Sequence, residues 1–150
     1  MLEDDRRCGR HFGIVDLLTL INNRESVVHE LSVCQALLAQ VTEIATDRGA
    51  STVARIIVEV GPLSGIEPAL LASAFEIVRA GSCAAGAVLS IETMAVTISC
   101  LSCGAESQTR PNRLLCAACG GYRTRVIGGD ELRLSRVELR VPEPRPASTA

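Results

Sequence analysis

Cys100-Leu101-Ser102-Cys103-Gly104, followed by Cys116-Ala117-Ala118-Cys119-Gly120-Gly121, is the stretch that decides how this chain folds. Two residues between thiols let both sulfurs of one pair face the same ion, and a second pair a short loop away completes a tetrahedral cage. The glycines after each pair let the backbone turn tightly and aim N–H groups at the sulfurs. The spacing predicts a structural zinc site with Cys100, Cys103, Cys116 and Cys119 as ligands. A thioredoxin-like redox pair would need one Cys-x-x-Cys at a helix start within a βαβ unit. An iron–sulfur cluster also takes four thiolates, and spacing does not fully separate it from zinc. Disulfides fit poorly, because nothing in the chain reads as an export signal.

The chain that holds this module has 150 residues in all, room for one medium domain or two small ones. Aromatic residues are 2% against 47% hydrophobic, so any core is built from Leu, Ile, Val and Ala. A net charge of -2 argues against a nucleic-acid binder working by electrostatics. No segment is long and apolar enough to span a bilayer. The acidic opening Glu3-Asp4-Asp5 is unlike a signal peptide, and metal-type cysteine spacing makes the cytoplasm the expected compartment.

Residues 1–27 read differently from the rest: a mixed-charge head, then an apolar run from Ile14 to Ile21. From Leu31 the period turns helical, with Leu31, Cys34, Leu38, Val41 and Ala45 on one stripe that Leu37 and Ile44 widen, ending at Arg48-Gly49. Val53 to Val60 reads as a strand with Ala54, Ile56, Val58 and Val60 on its apolar face. Gly61-Pro62 breaks it. Pro68 suits the first turn of a second helix that buries Leu71, Phe75 and Val78 and stops near Gly81. Ala87 to Ile98 is expected as one strand, and Leu132 to Val141 as another, with a phase slip near Ser135-Arg136 that marks a bulge. Cys34 and Cys83 read as small apolar residues.

The expected fold is therefore α+β: a small α/β lobe of two helices on a three-stranded sheet, with a zinc ribbon inserted. The expected boundaries are 28–98 plus 127–141 for the α/β lobe and 99–126 for the ribbon. Residues 1–27 are expected to be a non-native extension and 142–150 a disordered tail. Too small for much of a core, the ribbon would draw most of its folding free energy from zinc.

Val28-His29-Glu30-Leu31-Ser32 resembles the Met-His-Glu-Leu-Ser opening of the hydrogenase nickel-insertion accessory proteins, the HypA/HybF family. Glu59-Val60-Gly61, Leu63-Ser64-Gly65-Ile66-Glu67, Phe75-Glu76, Gly86-Ala87, Leu89, Ile91-Glu92, both cysteine pairs and Gly129-Asp130-Glu131-Leu132 match in order. The resemblance runs from Val28 to about Val141. It implies a metallochaperone that delivers Ni(II) to [NiFe]-hydrogenase, with a nickel-handling GTPase and the hydrogenase large subunit as partners; some members also serve urease maturation proteins. It places nickel at His29, with Glu30 a further ligand, and zinc at the four cysteines. Imidazole suits nickel, and an exposed site exchanges its metal readily.

The family motif opens the chain, whereas here it begins at residue 28. An internal His29 has no terminal amine beside it. The native start is therefore expected at Val28, since a GTG codon reads as valine internally and as methionine at initiation. Ala117 stands where the family often has Pro, which removes no ligand. A lone His-Glu pair is ordinarily an exposed residue beside an acid placed well for a helix N-terminus; the surrounding motifs reverse that preference. No catalytic constellation and no Gly-rich phosphate loop is apparent, so the expectation is a non-enzymatic protein without nucleic-acid or membrane partners. Two other readings stand beside it. A zinc-ribbon nucleic-acid-binding or interaction module would use Arg110, Arg113, Arg123 and Arg125, with Tyr122 alone for stacking. A thiol redox protein would lose its thiols to mild oxidant.

Overall fold

The structure is a computed structural model that describes residues 26–143. The expected extension, except Ser26 and Val27, and the tail from Pro144 onward lie outside the described residues. The elements run α1 (Ser26–Asp47), β1 (Thr52–Val60), α2 (Pro68–Val78), β2 (Val88–Thr93), β3 (Val96–Cys100), β4 (Glu106–Thr109), β5 (Thr124–Gly128) and β6 (Leu132–Arg140). They form two three-stranded sheets, β2-β1-β6 and β4-β3-β5. The α+β architecture with an inserted ribbon follows the sequence expectation. No described helix is long and apolar enough to cross a membrane.

In the first sheet β1 is central. It runs parallel to β2, which the helical crossover α2 permits, and antiparallel to β6. One face carries the aliphatic core: Val53, Ile56, Val58 and Val60 from β1 against Cys34, Leu37, Val41 and Ala45 from α1 and Leu71, Ala74 and Phe75 from α2. The other face is polar, with ion pairs Arg55–Glu138 and Arg133–Glu59. Pro68 does begin α2, and Phe75 is fully buried while Arg79 lies over its ring, 5.9 Å from the centroid, and pairs with Glu76.

Three local expectations change. α1 begins at Ser26 rather than near Leu31, so His29 and Glu30 lie in its first turns, and Ser26 and Val27 belong to the helix. The apolar face of β1 takes Val53 instead of Ala54, because β1 bulges between Val53 and Arg55 and the side-chain alternation shifts there. The segment 87–98 is two strands. Met94 donates its N–H to the Val60 carbonyl at 3.0 Å, the chain then leaves the first sheet, and β3 begins the second. The expected slip in β6 is present: Ile57 pairs with Arg136 and Val58 with Leu134, which leaves Ser135 as the extra residue.

The second sheet is the ribbon. β3 lies between β4 and β5, antiparallel to both, and buries Val96, Ile98 and Cys100. β3 and β5 run across 98/99 and 126/127, so this sheet extends over residues 96–128.

The two sheets meet at a crowded backbone joint. Gly61 donates its N–H to Glu131 and Leu63 donates to Gly129, at 2.8 and 2.9 Å. A Cβ on Gly61 would lie 2.2 Å from the Gly129 oxygen, and one on Gly129, whose φ is +101°, would lie 2.8 Å from Val96 Cα. Only glycine fits either position. The Glu131 carboxylate accepts the N–H groups of Gly129 and Asp130 at 3.0 and 3.1 Å, which locks the turn into β6.

Candidate metal sites

Each cysteine pair sits on a tight turn with the same hydrogen bonds. Gly104 donates its N–H to the Cys100 carbonyl and Gly120 to that of Cys116, both at 2.9 Å. Gly104 and Gly120 have φ of +76° and +71°, the left-handed conformation expected after each pair. The turns bring all four sulfurs within 4.8 Å of one another. Cys100 and Cys119 sulfurs lie 3.6 Å apart, and so do those of Cys103 and Cys116. A tetrahedron of zinc–sulfur bonds of ~2.3 Å has edges of about 3.8 Å, so the cage matches that ion in size. Cys100 and Cys116 face inward and are buried, whereas Cys103 and Cys119 face solvent.

The electrostatics of the cage call for a cation. The backbone N–H groups of Cys103 and then Ser102 aim at the Cys100 sulfur and pull its thiol down to about 6. The N–H groups of Cys119 and Ala118 likewise lower Cys116. At Cys103 the N–H of Ala105 favours the thiolate, but the adjoining Cys116, Cys119 and Cys100 sulfurs outweigh it and push that thiol up to about 12. Backbone dipoles thus stabilise part of the negative charge, and the remaining repulsion among four sulfurs is what a bound divalent cation relieves.

The structure places His29 and Glu30 differently from each other. His29 is half-buried, but Glu30 is 2% exposed and takes the first place on the buried stripe that continues through Cys34, Leu37 and Val41. Among the described residues its Oε2 is buried without a hydrogen-bond partner, a costly state for a carboxylate that lacks a cation or proton. One turn on, the Cys34 thiol donates to the Leu71 carbonyl at 3.3 Å. Burial, and then the Glu30 charge, push that thiol up to about 12, so Cys34 is a packed thiol rather than a ready thiolate ligand. Cys83 is half-buried beside Thr42, against the core. Among the described residues, only the four cysteines form a group of three or more convergent ligands; no third ligating side chain joins His29 and Glu30. Sequence reading missed the burial of Glu30. Its spacing four residues before Cys34 carried that signal.

The fold and the thiolate cage define a two-lobed metal-binding protein with a zinc-ribbon lobe. A family model described as hydrogenase/urease nickel incorporation, metallochaperone, hypA, matches residues 28–139, and the chain belongs to that HypA family. It is 42% identical over 112 residues to the hydrogenase maturation factor HypA of Nitrosospira multiformis, covering 75% of this chain and 97% of that one. It is 37% identical to the factor of the same name from Aquifex aeolicus, covering 76% and 99%. Among solved structures it resembles the Ni metallochaperone HypA from Helicobacter pylori, with TM-score 0.59 and 28% identity over 75% of this chain and 98% of that one.

Proposed function

We propose that this protein is a cytoplasmic, non-enzymatic nickel metallochaperone for the maturation of [NiFe]-hydrogenase. Its cargo Ni(II) binds at His29 with Glu30, and structural zinc is held by Cys100, Cys103, Cys116 and Cys119. Its partners are a nickel-handling GTPase and the hydrogenase large subunit, and urease maturation proteins in cells that make urease. The observation that carries the nickel reading is that, among the described residues, the buried Oε2 of Glu30 has no hydrogen-bond partner, and Glu30 follows His29 in the first turns of α1. An imidazole and a carboxylate are the donor types that a tetragonal nitrogen–oxygen site takes.

The functional chain is proposed to start at Val28, where the family match begins. The first N–H groups of a helix have no carbonyl one turn earlier. A start at Val28 would leave the amides of His29 and Glu30 unpaired, next to a terminal amine, all within reach of one ion. In the cage, zinc supplies folding free energy, on the order of 10–16 kcal/mol in zinc-finger peptides. The backbone N–H groups of Ser102, Cys103, Ala118 and Cys119 steady the thiolates that would hold it.

The test is complementation. A strain lacking the protein, grown at limiting nickel, is supplied with the wild type or with His29→Ala, and hydrogenase activity and bound nickel are measured. The variant is expected to keep its zinc and its circular dichroism while losing nickel uptake and most of the hydrogenase activity. Full activity from that variant would overturn the nickel assignment.

A further inference from the structure

An apolar groove runs between α1 and β6. Near the start of β6 it is lined by Val33, Leu37 and Gln40 from α1 and by Leu132 and Leu134. Farther along it opens into a cleft of about 320 Å³ lined by Ile44, Arg48, Leu134, Ser135, Arg136 and Val137. The α1 residues recur at threes and fours, so the groove follows one face of the helix along the first six residues of the strand, Leu132 to Val137. Its floor is aliphatic, and Leu132, Leu134 and Val137 are only half-buried there.

β6 is an edge strand. Among the described residues it pairs only with β1, so its other backbone edge borders the groove. An unpaired edge beside an apolar trough is the arrangement that accepts an added strand: main-chain hydrogen bonds supply affinity, and alternate side chains enter the trough. The charge says what kind of strand. β6 carries Arg133, Arg136 and Arg140 against Glu138, three positive and one negative, a net of +2. Arg55, Arg79 and Arg133 are ion-paired, whereas Arg48 and Arg136, at the wide end of the groove, have no ion-pair partner among the described residues. A second copy presenting its own β6 would bring together two strands of net +2 each, which disfavours self-pairing.

We propose that the α1–β6 groove docks an extended segment of a partner protein by strand addition to β6. That segment has apolar side chains on one face, which fill the floor, and acidic side chains that meet Arg48 and Arg136. The groove shares no residue with either metal site, so its test runs on the zinc-loaded full chain without nickel, and its failure leaves the nickel reading untouched.

The probe is a displayed library of random decapeptides selected against the full chain. The strongest binder is then synthesised with acetyl and amide ends, so that only side chains carry charge. Expected are sequences alternating apolar and acidic residues, with amide shifts in β6 and from Val33 of α1 to Arg48 just past its end. In the double variant Arg48→Glu with Arg136→Glu, both at exposed positions, Kd should rise about tenfold or more. The neutral pair Arg48→Gln with Arg136→Gln should give a smaller rise with unchanged circular dichroism. The proposal is overturned by a footprint elsewhere, by binding indifferent to charge reversal, by a library that enriches nothing, by a peptide that binds only with a free C-terminal carboxylate, or by a second copy of the chain occupying β6.

Discussion

A single methyl group is the sharpest probe of the joint between the two sheets. Gly61→Ala would drive a Cβ to 2.2 Å from the Gly129 oxygen, with backbone on both sides of the clash. Overpacking of this kind costs roughly 1–3 kcal/mol, so the urea midpoint should fall clearly. Gly86→Ala meets nothing within 4 Å and should shift stability by no more than about 0.5 kcal/mol. Equal effects from the two would mean that the joint is not tight. Glu131 adds a pH signature. The N–H of Gly129, followed by other nearby donors, lowers its carboxyl below the ordinary 4.5. A depressed carboxyl contributes stability that is present above that ordinary value and fades as pH falls through the lower folded value. Glu131→Gln should therefore be less stable than the wild type at neutral pH, with the gap closing in acid; a gap constant with pH would discard the carboxylate clamp. In the sequence, Gly61 stood as a strand breaker and as part of a family motif, and Gly129 only as part of such a motif. Their physical reason is a contact between distant segments, which local patterning does not reveal. The cage was legible because its ligands sit in sequence at the spacing that the ion demands. Glu30 was legible as a type of residue but not as a buried one, since its environment depends on where α1 begins.

The elements were legible wherever one period ran uninterrupted: α2 from Pro68, the aliphatic stripe of α1, and the alternation of β6 up to its slip. They were missed where one residue changed the phase. The bulge in β1 between Val53 and Arg55 moves Val53 into the core, and no local residue type announces it. The apolar run 87–98 hides a change of sheet, because both halves favour extended backbone. Two changes test the elements separately. Leu71→Ala removes a fully buried side chain between α1 and α2, and thermal or urea unfolding should show a loss of about 2–5 kcal/mol. Cys103→Ser breaks the cage; bound zinc measured by mass spectrometry should disappear, and the amide signals of β3, β4 and β5 should collapse while those of β1 persist. Retained zinc would contradict the four-thiolate site.

At the scale of the molecule, the two sheets have different sources of stability. The first rests on a shared aliphatic core between sheet and helices, whereas the ribbon buries little beyond Val96, Ile98 and two ligand cysteines. Adding a strong chelator should therefore split unfolding into two transitions, with the ribbon melting first. A single cooperative loss of all amide protection would show that the joint at Gly61 and Gly129 ties the lobes into one unit. The connectivity carries an evolutionary consequence as well. Thr93 and Leu132 both pair with Val60, one on each side of β1. The chain thus departs and returns at points only two strand spacings apart, about 10 Å. A linker of a few residues would close that gap, which makes the ribbon a portable cassette. It can be deleted, exchanged or lengthened in descendants of this gene without re-threading the lobe that hosts it.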